Sequence, residues 1–157
     1  MSNSAPQIIV ENASQTAEFA KRVGSLLQGG DTVLLQGDIG AGKSFFARAL
    51  IQALQDIPED VPSPTFTLVQ TYDTRAGEIW HADLYRLSEP SEVEELGLTE
   101  AFETAICLVE WPDRLAGMSP VGAVTLSFEI AASEDQRRIT MVGGSEDLHG
   151  RLLKAMT

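Results

Sequence analysis

The first third of the chain alternates between continuous apolar runs and apolar positions at helical spacing. Phe19, Val23 and Leu27 recur every four residues and share one face of a predicted helix. Every interior position of TVLLQ is apolar, which is typical of a buried strand. This part of the chain therefore predicts a strand at Gln7–Val10, a helix from an N-cap at Ser14 to about Leu27, a strand at Thr32–Gln36, and a helix from Gly42 or Lys43 to about Leu54. Gly29–Gly30 are expected to end the first of these helices.

The remainder of the chain predicts a loop, a hairpin, short helices and late strands. Pro58–Pro64 (PEDVPSP) contains three prolines and must be a loop. Ile106–Val109 (ICLV) is a continuous apolar run, as expected of a central parallel strand. The other predicted elements are strands at Thr65–Tyr72 and Glu78–Leu84 with a turn at Thr74–Gly77, one or two short helices in Ser91–Glu103, strands at Ala123–Ile130 and Arg138–Val142 with a turn at Ser133–Gln136, and a closing helix in Glu146–Met156.

Length and composition indicate one α/β domain spanning residues 1–157. Eleven basic and 23 acidic residues give a net charge of -12, which argues against direct binding to nucleic acid or to anionic membranes. The acidity either keeps the protein soluble or meets a basic protein partner. There is no membrane-length apolar run, no secretory signal pattern, and a single cysteine, Cys107, so we expect a cytoplasmic location.

The segment after the second predicted strand matches the phosphate-loop pattern G-x-x-x-x-G-K-[ST] in Gly37, Gly42, Lys43 and Ser44. Glycines permit the tight turns that point main-chain N–H groups inward, and the following helix adds the positive end of its dipole. Lys43 would contact the β- and γ-phosphates, and Ser44 would ligate Mg²⁺. The motif predicts a P-loop NTPase-like three-layer sandwich, with a mostly parallel central sheet and antiparallel additions.

Hydrolysis needs an acidic group that holds Mg²⁺ and often another that orients the nucleophile. Glu110 directly follows ICLV and is expected at the carboxyl edge of the sheet, where open α/β folds bind ligands. Asp83 ends another predicted strand, although pairing with Arg86 would also explain it. His81 is either catalytic or a structural histidine, and Trp111 either closes over the site or belongs to the core.

Four blocks in this order resemble the TsaE (YjeE) family, the bacterial ATPases of tRNA threonylcarbamoyladenosine synthesis: GDIGAGKS, VPSPTF, HADLYR and VEWPDR. Ser44 stands where the family usually has threonine, and the hydroxyl is kept. The resemblance implies that Lys43 binds phosphate, that Ser44 and Glu110 bind Mg²⁺, and that Asp83 and Thr65 act in hydrolysis or as a switch. It also implies an ATP site that includes Thr16, Asp38, Ile39, Gly40, Ala41, Gly42, Lys43, Ser44 and either Arg137 or, as we assign it, Arg138.

The same resemblance implies protein partners, because TsaE-like proteins associate with TsaB and TsaD. It predicts weak ATP hydrolysis by the chain alone and faster hydrolysis with those partners. Two alternatives remain open on the sequence. The chain has the length of a small-molecule P-loop kinase, but Arg86, Arg114, Arg137 and Arg138 do not cluster in a lid-like segment. A GTP-operated switch is disfavoured because no N-K-x-D motif occurs.

Overall fold

A computed structural model describes residues 5–57 and 68–156 of the chain. Its strands are β1 (Gln7–Val10), β2 (Thr32–Gln36), β3 (Val69–Thr74), β4 (Gly77–Asp83), β5 (Ile106–Glu110), β6 (Val124–Ile130) and β7 (Arg137–Gly143). Its α-helices are α1 (Ala13–Leu26), α2 (Lys43–Leu54), α3 (Glu92–Glu95), α4 (Leu98–Thr104) and α5 (Glu146–Leu153), and a 3₁₀ turn covers Pro112–Leu115. The predicted α/β class is confirmed, with two short helices where one or two were expected.

The strands form one sheet in the order β1-β7-β6-β2-β5-β4-β3. The central strands β6, β2, β5 and β4 pair in parallel, whereas β1, β7 and β3 join through antiparallel pairings. The predicted parallel centre with antiparallel additions is therefore confirmed. This order places the carboxyl ends of β2, β5 and β4 side by side at one edge of the sheet, which is where ligands bind in such folds.

Helices cover both faces of the sheet and make three layers. Val33 and Leu35 of β2 belong to the core formed with α1, α2 and α5, whereas Leu34 between them belongs to the core formed with α3 and α4. Successive side chains of a strand point to opposite faces, so a strand buried on both sides must be apolar at every position. This requirement explains the uninterrupted apolar runs of β2 and β5.

The ends of several elements differ from the sequence expectation. The N-cap of α1 is Asn12, not Ser14: the Asn12 backbone is extended, and its side-chain oxygen accepts a hydrogen bond from the Gln15 N–H at 3.0 Å. The helix ends when Leu27 turns to extended backbone, before the two glycines. The predicted loop at Pro58–Pro64, and the first residues of the strand predicted from Thr65, lie outside the described residues.

No helix in the described part of the chain is long and apolar enough to cross a membrane.

Candidate functional site

The turn between β2 and α2 depends on glycine at defined positions. Gly37 has a φ of +146°, and a Cβ there would lie 2.6 Å from the carbonyl oxygen of Phe128 in β6. Gly42 has a φ of +109° in the left-handed region and immediately precedes the first residue of α2. Any other residue would strain the backbone at these two points, because L side chains clash there. The turn thus delivers the first N–H groups of α2 toward the carboxyl edge of the sheet, as the phosphate-loop pattern predicts.

Lys43 begins α2 and is almost completely buried, with 4% of its surface exposed. Its Nζ donates a hydrogen bond to the Gly37 carbonyl oxygen at 2.6 Å and lies 3.4 Å from the centroid of the Trp111 ring. Burial lowers the pKa of the Lys43 ammonium, and the nearby carboxylates of Glu110 and Asp83 oppose that shift. The lysine is therefore a desolvated cation that loop, ring and carboxylates hold in place.

A chain of hydrogen bonds connects the loop to the centre of the sheet. The Ser44 hydroxyl donates to Glu110 Oε1 at 2.7 Å, and Glu110 Oε2 lies 2.8 Å from His81 Nε2. Glu110 is 2% exposed and His81 is fully buried. The sequence predicted Ser44 and Glu110 as a metal-binding pair, and the structure brings these two side chains into direct contact. It places the buried His81 beside them rather than in a separate part of the core.

A pocket of about 570 Å³ opens above this network. Its lining comes from α1, the glycine-rich turn, the start of α2, the carboxyl ends of β4 and β5 with the residues that follow them, and the β6–β7 hairpin. Of the predicted residues it includes Thr16, Ile39, Gly40, Ala41, Gly42, Lys43, Ser44, Asp83 and Glu110. Asp83 is 5% exposed, and its Oδ1 accepts a hydrogen bond from the Tyr85 N–H at 3.1 Å. The predicted residues that converge on one cavity thus come from α1, β4, β5, the turn before α2 and the first two residues of α2.

Trp111 follows Glu110 with a left-handed backbone, φ 60° and ψ 56°. Such a conformation is costly for a bulky residue, and strain of this kind concentrates at functional sites. It places the indole ring over the Lys43 ammonium. The centroids of the Trp111 and Tyr85 rings are 5.0 Å apart. The half-buried ring lines the pocket and also contacts the core on the α3–α4 side, so both interpretations of Trp111 apply.

The remaining predicted site residues are Arg138, Asp38 and Thr65. Arg137, not Arg138, lines the pocket: its Nε donates to the Ala41 carbonyl oxygen at 3.0 Å and its Nη2 to that of Gly40 at 3.4 Å. Asp38 lines a separate cavity with Ser127, Phe128 and Glu129, on the other side of the turn. Thr65 lies outside the described residues, so its role stays a prediction.

Sequence reasoning did not assign Arg48 and Arg86, which also line the pocket. Strand alternation could have distinguished Arg137 from Arg138. Ile139 and Met141 are buried in the core that contains α1 and α2, and strand alternation puts Arg137 on their face. The same alternation along β4 puts Ile79, His81 and Asp83 on one face.

The donor set suits magnesium. Mg²⁺ prefers oxygen ligands, keeps several waters, and uses one or two protein oxygens together with substrate phosphates. Ser44 and Glu110 supply such oxygens beside the glycine-rich turn. Within residues 5–57 and 68–156, no three His, Cys, Asp or Glu side chains group as a self-sufficient metal cage. A metal here would depend on phosphate oxygens of a bound nucleotide.

Comparison with known proteins adds a family to this geometry. Residues 10–139 match the family model described as threonylcarbamoyl adenosine biosynthesis protein TsaE. A tRNA threonylcarbamoyladenosine biosynthesis protein TsaE from Rickettsia bellii is 37% identical over 133 residues, which cover 85% of this chain and 91% of the relative. The protein of that name from Treponema pallidum is 37% identical over 134 residues, covering 85% and 97%.

A solved structure is similar throughout its length. The crystal structure of YdiB from Bacillus subtilis superimposes with a TM-score of 0.77 at 26% identity, covering 98% of this chain and 97% of that one. The region matched by the family model includes the glycine-rich turn, Asp83 and Glu110.

Proposed function

The chain belongs to the TsaE family of threonylcarbamoyl adenosine biosynthesis proteins, and from that premise we propose that it binds and hydrolyses Mg-ATP in the synthesis of tRNA threonylcarbamoyladenosine. The observation that carries the proposal is the convergence of Lys43, Ser44 and Glu110 at one glycine-rich turn. A lysine, a hydroxyl and a carboxylate in that arrangement are the protein groups that nucleoside triphosphate hydrolysis requires.

Each residue has a chemical task in this proposal. The turn amides and Lys43 bind the phosphates, and in doing so Lys43 exchanges its contact with the Gly37 carbonyl for phosphate oxygens. Ser44 and Glu110 hold Mg²⁺, which when bound supplies positive charge against the phosphate oxygens. Asp83, on the pocket wall, orients the attacking water. Thr65 acts as a switch residue. The Trp111 ring and Thr16 limit the pocket on either side.

We further propose that hydrolysis is slow in the isolated chain and that TsaB and TsaD accelerate it. The acidity of the chain supports docking on protein rather than on tRNA, because a net charge of -12 repels a polyphosphate backbone. An ATPase assay tests this with the chain alone, with TsaB and TsaD, and with tRNA added. We expect the rate to rise when both proteins are present, and a Lys43→Ala chain to show no rise. An unchanged rate with the complete partner set would contradict the proposal.

A small-molecule kinase is the competing function. Arg48, Arg86 and Arg137 line the pocket and would suit a transferred phosphate, but each comes from a different part of the fold rather than from one lid. The same reactions, analysed for phosphorylated metabolites, separate the two functions. ATP-dependent phosphorylation of a small acceptor would favour the kinase, whereas free inorganic phosphate in proportion to ADP supports the ATPase.

A further inference from the structure

His81 occupies a position at the site that the proposed function leaves unused. Its Nε2 lies 2.8 Å from Glu110 Oε2, and the other oxygen of the same carboxylate accepts a hydrogen bond from Ser44 at 2.7 Å. The ring is fully buried. In the described part of the chain, its second nitrogen, Nδ1, has no hydrogen-bond partner. We propose that His81 is a positioning residue whose Nε2–H fixes the Glu110 carboxylate so that one oxygen faces Ser44.

The direction of the hydrogen bonds follows from the chemistry of the groups. An ionised carboxylate can only accept, so both of its partners must donate. Ser44 donates its hydroxyl proton, and His81 donates from Nε2. The proton on Nε2 leaves Nδ1 with a lone pair, which fits the lack of a partner there, because orphaned buried N–H groups are rarer than under-satisfied acceptors. The geometry thus selects the tautomer with hydrogen on Nε2.

The backbone makes this contact rigid. β4 and β5 pair in parallel with His81 opposite Leu108 and Asp83 opposite Glu110, so His81 and Glu110 are diagonal neighbours, two positions apart on the same face of the sheet. A glutamate has three rotatable side-chain bonds, and a single hydrogen bond from Ser44 would leave its second oxygen without a fixed direction. The histidine supplies the second point of attachment. Outer partners of metal ligands commonly orient them in this way, and their loss costs roughly 10- to 100-fold in metal affinity.

This inference rests on the proposed function only in that Glu110 is taken as the metal-binding carboxylate. Its first test needs neither metal nor nucleotide. Nitrogen-15 NMR of the histidine rings in the free protein, assigned with a His149→Gln variant, reports which nitrogen of His81 carries hydrogen. We expect Nε2 protonated, Nδ1 unprotonated, and slow exchange of the Nε2 proton with water. A proton on Nδ1 alone, or rapid exchange, would overturn the proposal.

The second test compares His81→Gln with His81→Leu. A glutamine amide can donate to Glu110 Oε2, whereas leucine fills similar space without a donor. Manganese binding in the presence of ADP, followed by electron paramagnetic resonance, should weaken about 10-fold or more in the leucine variant and recover in the glutamine variant. His149→Gln is the matched control, since the His149 ring forms its hydrogen bond with the Gly143 carbonyl at the carboxyl end of β7, and this variant should bind manganese as the unaltered chain does.

The outcomes separate the two proposals. If the unaltered chain binds no nucleotide but the NMR experiment finds the expected tautomer, the proposed function fails and the role of His81 in holding Glu110 stands. If the unaltered chain binds and hydrolyses Mg-ATP but a folded His81→Leu chain binds manganese equally well, the proposed function stands and the inference about His81 is wrong. Should the leucine variant not fold, the NMR experiment on the unaltered chain decides the question.

Discussion

Glu110 shows how one side chain gains a role from its surroundings. A carboxylate that is 2% exposed would be costly to bury alone, yet here it accepts hydrogen bonds from a hydroxyl and a ring nitrogen and lies near the Lys43 ammonium. These contacts orient the carboxylate beside the glycine-rich turn before α2. The buried carboxylate therefore depends on its neighbours for hydrogen bonds, and the proposed magnesium site depends on the carboxylate for an oxygen ligand.

Replacing Glu110 with glutamine keeps the size of the side chain and removes its charge. We expect ATP hydrolysis by the Glu110→Gln chain to fall about 100-fold, because the bound metal loses a ligand that stabilises developing charge. ATP affinity should change by less than about threefold, since the turn amides and Lys43 remain. Single-turnover kinetics and calorimetry measure the two quantities. Normal hydrolysis by this variant would show that another acid holds the metal.

For single residues, the sequence indicated the candidate site residues better than the contacts that those residues make with each other. Lys43, Ser44 and Glu110 follow from a motif and from the end of a buried strand, both of which are local signals. The contact between Glu110 and His81 depends on β4 lying next to β5, which no local pattern specifies. Asn12 replaces Ser14 as the N-cap because both residue types cap helices well, and only the backbone angles decide between them.

At the scale of elements, the hairpin of β6 and β7 braces the glycine-rich turn before α2. The Phe128 carbonyl oxygen of β6 lies 2.6 Å from the position that a Cβ on Gly37 would take, and Arg137 of β7 donates to carbonyl oxygens of Gly40 and Ala41. Arg137 also donates to the carbonyls of Glu134 and Gln136 in the hairpin's own turn. Because the guanidinium binds the carbonyl oxygens of the loop, we infer that the N–H groups of the loop are directed away from it, toward the pocket.

Removal of this brace gives a test of the element as a whole. We expect Arg137→Ala to weaken ATP binding about 10-fold, because two charge-assisted hydrogen bonds to the loop are lost at a partly exposed site. Arg138→Ala, on the opposite face of β7, should weaken it much less. Calorimetry gives the affinities, and thermal unfolding confirms that both variants are folded. Equal effects of the two substitutions would mean that the brace does not shape the loop.

The elements themselves were largely readable from the sequence, because each carries a strong pattern. β2 and β5 are uniformly apolar, α1 has helical spacing, and a polar turn separates the strands β6 and β7. The sequence assigned Arg138 to the ATP site, whereas Arg137 lines the pocket, and one residue is the difference between the two faces of a strand. Which hairpin would brace the turn could not be predicted, because it depends on the order of strands in the sheet.

At the scale of the whole molecule, the topology explains why the site exists. Parallel pairing of β4, β5 and β2 brings Asp83, Glu110 and the glycine-rich turn to the same edge of the sheet. The helix layers on both sides exclude water from those strands, so the effective dielectric constant is low and interactions between buried charges are strong. The surface, in contrast, is strongly acidic, which disfavours direct contact with tRNA and leaves a protein partner as the proposed route to the substrate.

We propose that the turn before α2 binds a nucleoside triphosphate with magnesium, and calorimetric titration of the folded chain with Mg-ATP is the decisive experiment. We predict saturable heat, together with stabilisation of about 2.7 kcal/mol when free nucleotide is at about 100 times its Kd, and loss of both in a folded Lys43→Ala chain. Absence of heat and of any thermal shift in the folded, unaltered chain would contradict the account.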